Sequence, residues 1–182
     1  MNHSEKGFTL VELIGVVVIL GILAVFALPV ITRTLDSSRN KMYVNDAKRL
    51  VSHAEYKIKA NSTKIDLPDN GDAIVLSLRY LEASSITDGP NGGKYDLDRS
   101  YVVVRRYSDN LEYAVCLLEH EKNSGFRGFV LIKNEDLFQN DVAKKITGLN
   151  ESQAMHVNNI TKNYINGKVS NFITGTLTNV YK

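Results

Sequence analysis

The sequence predicts an α+β fold in which one long N-terminal helix lies on an antiparallel β-sheet. Three observations carry that expectation. Phe8 to Ile31 is a run of 24 residues, nearly all apolar, with Glu12 its only ionisable side chain. Without an obvious break it passes into a segment of helical periodicity that reaches about Ala60. Further on, between residues 100 and 133, three runs rich in Val, Tyr, Leu and Phe are separated by short polar connections. The overall composition conceals this division. Of 182 residues, 43% are apolar and 23% charged, so the chain passes for an average soluble protein although neither part is average.

The apolar run comes first. At 1.5 Å per residue it extends roughly 36 Å, enough to cross a hydrocarbon core of about 30 Å. A core helix of that character would need burial on every side, which a small domain cannot provide. A cleaved secretory signal has a shorter apolar region followed by a small-x-small site. Here the region is longer, and Pro29-Val-Ile-Thr-Arg33 reads as a kinked continuation of helix, so the segment is expected to be retained. Basic residues give a contrary hint on orientation. Lys6 precedes the run, whereas Arg33, Arg39, Lys41, Lys48 and Arg49 follow it, and a positive-inside count favours a cytoplasmic C-terminal side. That rule weakens before a long domain. Glu12 is the oddity, because a carboxylate in a membrane helix costs about 3 kcal/mol unless paired or protonated. Either it is solvated near the interface, or it awaits a positive partner. The run holds no Lys or Arg, so that partner is a backbone amine or another chain.

The amphipathic half follows over 32–60. Val44, Ala47, Leu50, Val51, Ala54 and Ile58 share one helical face, and Arg39, Lys41, Asp46, Lys48, Arg49, Glu55, Lys57 and Lys59 lie mostly on others. Joined to the apolar run, this makes one helix of about 50 residues, roughly 75–80 Å long. Such a length belongs to a bundle, a membrane or a filament.

Residues 61–182 supply the partner for that face. Gly71–Leu81 reads as a short helix and Gly89-Pro-Asn-Gly-Gly93 as a turn or open loop. Ser100–Tyr107, Leu111–Glu119 and Gly125–Lys133 read as strands, joined by Ser108-Asp-Asn110 and Lys122-Asn-Ser124 in an antiparallel meander. Alternation in the second strand puts Tyr113, Val115 and Leu117 on one face and Ala114, Cys116 and Leu118 on the other. Both faces are apolar, one to cover the long helix and one a C-terminal element. Glu135–Ile146 and Ser152–Tyr164 read as modest helices, and Val169–Val180 as one or two strands.

Lys6-Gly7-Phe8-Thr9-Leu10-Val11-Glu12-Leu13, followed by a long apolar helix, resembles the class III signal of type IV pilins and pseudopilins. The shared pattern is a short hydrophilic leader, Gly before the cleavage point, Phe after it, and Glu at the fifth mature position. The resemblance implies the pilin fold and divides the chain into a leader (1–7), a transmembrane and later filament-core helix (8–31), its amphipathic half (32–60) and a globular head (61–182). It implies cleavage between Gly7 and Phe8 by a prepilin peptidase, and N-methylation of Phe8. It gives Glu12 a partner, the Phe8 amino group of a neighbouring subunit, and mutual contact offsets the desolvation cost of both charges. Pro29, with Gly15 and Gly21, then marks points where the helix kinks, locally unwinds or packs closely on assembly. The partners implied are other pilin subunits, the peptidase, an assembly platform with a cytoplasmic motor, and membrane lipid before assembly. The localisation implied is the cytoplasmic membrane, in a single pass, and then an extracellular surface filament.

The head departs from two patterns of that family. In secretion pseudopilins the loop before the sheet carries an Asp-Pro-Trp-Gly pattern and can bind calcium. Asp88-Gly-Pro-Asn-Gly-Gly-Lys-Tyr95 lacks the Trp and interrupts Asp-Pro, and Asp88, Asp96 and Asp98 lack the spacing of a calcium loop, so no metal is assigned. Gram-negative pilins often close the C-terminal region with a disulfide. A single cysteine forbids one, which favours a Gram-positive type, and abundant Asn, Lys and Ile agree with a low-GC source. Cys116 reads as a small buried hydrophobe.

Catalytic signals are missing from the sequence. His3, His53, His120 and His156 show no ligand spacing, with His53 and His120 read as solvated surface residues, and no Gly-rich phosphate loop or Gly-x-Ser-x-Gly motif occurs. Arg105-Arg106 reads as an edge or solvent-facing pair. Asn150-Glu-Ser and Asn159-Ile-Thr fit a glycosylation sequon that often matches by chance. A net charge of +2 argues against a nucleic-acid groove. The expectation is a non-enzymatic, cofactor-free filament subunit. Its rivals are a minor pilin or a secretion or competence pseudopilin, and a single-pass anchored binding domain that never polymerises. The ligand of the head stays unnamed.

Overall fold

The computed structural model describes residues 7–61, 63–121, 125–139 and 141–182. Most of the expected leader (Lys6 and His3 included), Ser62 of the helix end and the Lys122-Asn-Ser124 connection lie outside the described residues. The chain divides into two compact units, Met1–Ser38 and Arg39–Lys182.

One helix, α1 (Leu10–Ala60), runs through both, continuous over 51 residues and across Pro29. In the first unit every described residue is exposed, including the full set of large apolar side chains from Leu10 to Leu35. A helix apolar on all sides has no use for one covering face. It needs a surrounding apolar medium, and this is the one described helix long and apolar enough to cross a membrane.

In the second unit α1 becomes one-sided. Tyr43, Val44, Ala47, Leu50, Val51, Ala54 and Ile58 are buried, the stripe the i, i+3, i+4 spacing demands, while Lys41, Asn45, Arg49 and Tyr56 stay exposed. The stripe packs on a six-stranded sheet built from β1 (Ala73–Ser77), β2 (Tyr101–Tyr107), β3 (Asn110–His120), β4 (Phe126–Lys133), β5 (Thr147–Leu149) and β6 (Leu177–Tyr181), in the order β5-β4-β3-β2-β1-β6. The layout is the α+β arrangement expected of a pilin fold. The meander β2-β3-β4 stands where the sequence placed it, antiparallel throughout. The sheet as a whole is mixed rather than antiparallel, because β6 pairs parallel with β1.

Alternation on β3 sorts the two cores as expected. Val115 and Leu117 join the α1 side with Ile74, Leu76, Val102, Val104 and Phe129. Ala114, Cys116 and Leu118 face the C-terminal elements, meeting Val157, Ile165, Phe172 and Ile173. A bulge in β4 adjusts this pattern: Val115 opposes Ile132 but Leu117 opposes Phe129, so β4 has one residue more than β3 across that interval. Leu131 has a positive φ of 120° there and turns to the C-terminal side, between Phe129 and Ile132 on the helix side. Gly128 (φ +150°) sits where a Cβ would come within 1.9 Å of the Leu117 carbonyl oxygen.

Three helix expectations are corrected. Gly71–Leu81 is strand β1 followed by a single turn, α2 (Leu78–Leu81), which Ser77 caps by accepting from the Tyr80 N–H. Glu135–Ile146 forms two 3-10 turns, Asn134–Phe138 and Val142–Lys145, with the short β5 just beyond. Ser152–Tyr164 holds a 3-10 turn at Val157–Asn159 and only the first residues of helix α3, which spans Lys162–Lys168. Each was read from apolar content in segments of mixed periodicity, where strand, turn and short helix are hard to tell apart.

Candidate processing and assembly site

The N-terminal site is built around one helix start. Gly7, Phe8 and Thr9 are non-helical and exposed, Phe8 at 87%, so the expected scissile bond lies in irregular, accessible backbone just ahead of α1. Proteases require an extended, reachable segment, and helix would deny it. Thr9 is what begins the helix. Its carbonyl accepts from the Leu13 N–H at 3.1 Å, and its hydroxyl accepts from the Glu12 N–H at 3.3 Å. Glu12 answers in return, its Oε2 accepting both the Thr9 N–H and the Thr9 hydroxyl at 2.8 Å. This is a capping box, Thr at the cap and Glu three residues on, in which otherwise unpaired amides are satisfied reciprocally. The Thr9-x-x-Glu12 spacing is the sequence signal for this box, and it lies within the chain itself. Glu12 therefore has a partner on its own helix.

The other expected positions on this helix lie among exposed apolar side chains. A Cβ added at Gly15 or Gly21 would meet nothing within 4 Å, so neither glycine is needed for packing inside the single chain. Pro29 leaves the Val25 carbonyl without its usual amide donor. Just beyond it, the Thr32 and Thr34 hydroxyls donate to the Pro29 and Val30 carbonyls at 3.1 and 2.9 Å.

In the second unit the sequence reading missed a polar centre. Glu119, expected only as the last residue of the second strand, is fully buried on β3. Its carboxylate accepts from the Tyr43 hydroxyl on α1, from the Gly93 N–H at 2.7 Å and from the Asn91 N–H at 3.1 Å. Asn91 also donates through Nδ2 to the Tyr43 oxygen at 3.0 Å. Gly89 and Gly93 are small because they must be: a Cβ at Gly89 would stand 2.2 Å from Glu119 Cδ, and one at Gly93 2.0 Å from the His120 carbonyl oxygen. The Gly-rich loop is thus folded over a buried carboxylate and pinned to the helix. Beside it Tyr95 donates to Asp46 on α1 at 2.9 Å. Burial and the neighbouring Glu119 raise the Tyr43 pKa, and burial with Asp46 raises that of Tyr95.

The loop carboxylates have protein partners. Asp96 Oδ1 accepts from the Asp98 and Arg99 N–H groups at 2.8 Å each. Asp98 makes a two-point contact with Arg79, at 2.8 and 2.6 Å, and that guanidinium holds its pKa below the usual range. Among the described residues no group of three His, Cys, Asp or Glu is placed to hold a metal ion. Two surface expectations are corrected as well. Arg105 is nearly buried on an interior strand, donating to Glu112 at 2.8 and 2.5 Å and to the Asn171 and Phe172 carbonyls. His53 is half-buried and meets the Ser85 hydroxyl at 3.1 Å, whereas His120 stays exposed as expected, paired with Asp96 at 3.0 Å beside Phe126. For Arg105 and His53 a partner distant in sequence draws the side chain down. Cys116 is buried as expected, its thiol pushed up to about 12 by burial.

Residues 2–28 match the prokaryotic N-terminal methylation motif. No curated protein and no solved structure matches the chain. The motif supports a type IV pilin-like or pseudopilin protein and indicates a structural protein. In general terms it implies processing by a prepilin peptidase and assembly with other pilins. With the apolar half of α1, it fits membrane anchoring followed by display in a surface filament.

Proposed function

We propose that this chain is the structural subunit of a type IV pilus. The carrying observation is the methylation motif at residues 2–28, which overlaps an exposed apolar run with Glu12 as its one ionisable side chain, together with a separately packed α+β unit. The precursor is a bitopic membrane protein with a leader of residues 1–7. Peptidase cuts Gly7–Phe8, Phe8 is N-methylated, and residues 8–31 pass from lipid into the filament core. Apolar helices associate there through close packing, since leaving lipid for other apolar helices yields little hydrophobic gain. Register comes from the charged groups. The new Phe8 amine and Glu12 of adjacent subunits satisfy one another, and Gly15, Gly21 and Pro29 are the places where the helix adapts. The amphipathic half, 32–60, carries the head, which forms the outer surface. The lone Cys116, which can close no disulfide within the chain, favours the Gram-positive type. Assembly energy comes from a separate motor.

N-terminal mass analysis of the protein from sheared surface filaments tests this reading. The expected result is a chain starting at methylated Phe8. A chain starting at Met1, or one lacking 8–31, overturns it. A subunit that is scarce in otherwise abundant sheared fibres points instead to a minor pilin or pseudopilin. An uncleaved monomer in detergent points to an anchored binding domain. Glu12→Ala leaves cleavage intact and lowers filament yield, and normal fibres from that variant remove the pairing argument.

A further inference from the structure

We propose that the outer edge of β4 is a docking site for a short, extended, acidic peptide segment of a partner protein, which pairs with that edge and sets its carboxylates among Lys133, Lys145 and Lys168. This goes beyond the subunit reading and holds whether or not the chain polymerises. β5 pairs only with Phe126–Gly128 of β4. From Phe129 to Lys133 no described strand lies beside β4 on that side. Among the described residues, no turn or loop amide or carbonyl bonds to the backbone of these five either. An edge of this kind leaves alternate amides and carbonyls unpaired over roughly 17 Å. The bulge explains why pairing with β5 stops here. Opposite Cys116, β4 carries one residue too many, with Leu131 at a φ of 120°, and the strand bends. That bend shuts out a long straight partner, so the occupant is short.

A cleft of about 380 Å³ lies along this edge. Leu131, Ile132 and Lys133 of β4 line it, with Asp136 and Lys145 from the two 3-10 turns and Lys168 from the end of α3. Its walls belong to different layers. Leu137 and Val142 of the 3-10 turns pack on the α1 side of the sheet, Ile165 and Val169 on the C-terminal side, so the cleft opens between them at the sheet edge. Charge selects the occupant. Lys145 pairs with Asp136 at 3.2 Å and Lys133 with Glu135 at 3.4 Å, both in contact with water, and such pairs re-form with an incoming carboxylate at little cost. Among the described residues Lys168 has no carboxylate partner and stands 5.8 Å from the Tyr164 ring centroid. A second copy of this chain does not meet the requirement. Its other outer strand, β6 (Leu177–Tyr181), has no acid and runs into Lys182, β5 has none, and its own β4 edge would set lysine against lysine. The lysines thus close the edge to self-pairing and open it to an acidic strand.

The test uses the full chain in detergent and a capped synthetic peptide of about six alternating Val and Glu residues. A peptide of the same length alternating Val and Lys, and inorganic phosphate, are the controls. The expected result is saturable binding of the Val/Glu peptide that weakens as salt rises, with amide exchange slowed at 129–133. Lys145→Gln combined with Lys168→Gln changes two exposed side chains, leaves the near-UV circular dichroism as it was, and is expected to weaken binding about tenfold. No saturable binding below about 1 mM overturns the proposal. So does equal binding of the Val/Lys peptide, undiminished binding by the double variant, or slowed exchange only at other amides. Phosphate bound at the lysines without any peptide effect on 129–133 exchange also overturns it, leaving an anion site in place of a docked strand.

Discussion

Glu119 is a single carboxylate on which three segments depend. With Ala in its place, the Tyr43 hydroxyl and the amides of Asn91 and Gly93 lose their acceptor inside the head, and a void opens beneath the loop. Leaving such donors buried and unpaired costs about 3 kcal/mol in total. The head of Glu119→Ala is therefore expected to unfold in less denaturant, with the midpoint followed by near-UV circular dichroism in detergent. Glu119→Gln keeps one accepting oxygen but turns an NH2 toward existing donors, so it falls between the two. This residue was not legible in the sequence. Glu119-His-Glu-Lys122 has the look of a solvated charge cluster, and only the fold brings Tyr43 and the Asn91–Gly93 turn, 76 and 26–28 positions away, onto the first of them. Glu12 is the opposite case. Its partner is three residues distant, so the Thr-x-x-Glu spacing contained the answer.

Elements with a clean period were legible, and elements set by distant partners were not. α1 declared itself through length and then through the Val44–Ile58 stripe, and β2, β3 and β4 through short polar connections. Ala73-Ile-Val-Leu-Ser77 shows no alternation because it is an interior strand buried on both faces, between β2 and β6. A continuous apolar run of five residues reads equally as a helix turn. The parallel β1–β6 pair joins residues about 104 positions apart, and no local rule reaches that far. Two substitutions probe these elements. Leu50→Ala removes a fully buried side chain from the α1 stripe and is expected to cost about 3 kcal/mol of head stability. Gly128→Ala forces a Cβ against the Leu117 carbonyl at a positive φ, and is expected to cost as much or more although it adds one methyl group. Equal urea midpoints for Gly128→Ala and wild type would exclude the close approach of β4 to the Leu117 carbonyl at Gly128.

At the scale of the whole molecule the chain joins two kinds of chemistry, an apolar run with one acid and a head rich in charged side chains, among them the Arg79–Asp98 and Arg105–Glu112 pairs. The near-zero net charge hides how differently the head responds to acid and to base. On the acid side Asp98 has a lowered pKa from Arg79, so its contribution is present above about pH 4 and is lost as pH falls through the folded value. Much of that pair is open to water, and the effect is small. On the alkaline side the groups are interior. Tyr43, Tyr95 and Tyr101 have raised pKa values, and burial pushes Tyr113, Tyr164 and Cys116 up to about 12. A neutral acid with a raised folded pKa keeps its proton while the unfolded chain loses it, above about pH 10 for Tyr and about 8.5 for Cys. The unfolded state then binds fewer protons, and stability falls as pH rises. For a fully buried group such as Tyr101 or Cys116 the slope approaches about 1.4 kcal/mol per pH unit. Several such groups acting together give a cooperative alkaline transition of the head between about pH 10 and 12. The tyrosinate absorbance of the enclosed phenols should therefore rise together with the loss of near-UV circular dichroism in the detergent-solubilised chain, separate from that of the exposed Tyr56 and Tyr107, because the enclosed phenols ionise only as the packing opens. A smooth tyrosinate titration completed below pH 11 with the near-UV signal intact would show that Tyr43, Tyr95 and Tyr101 are not enclosed as the fold requires.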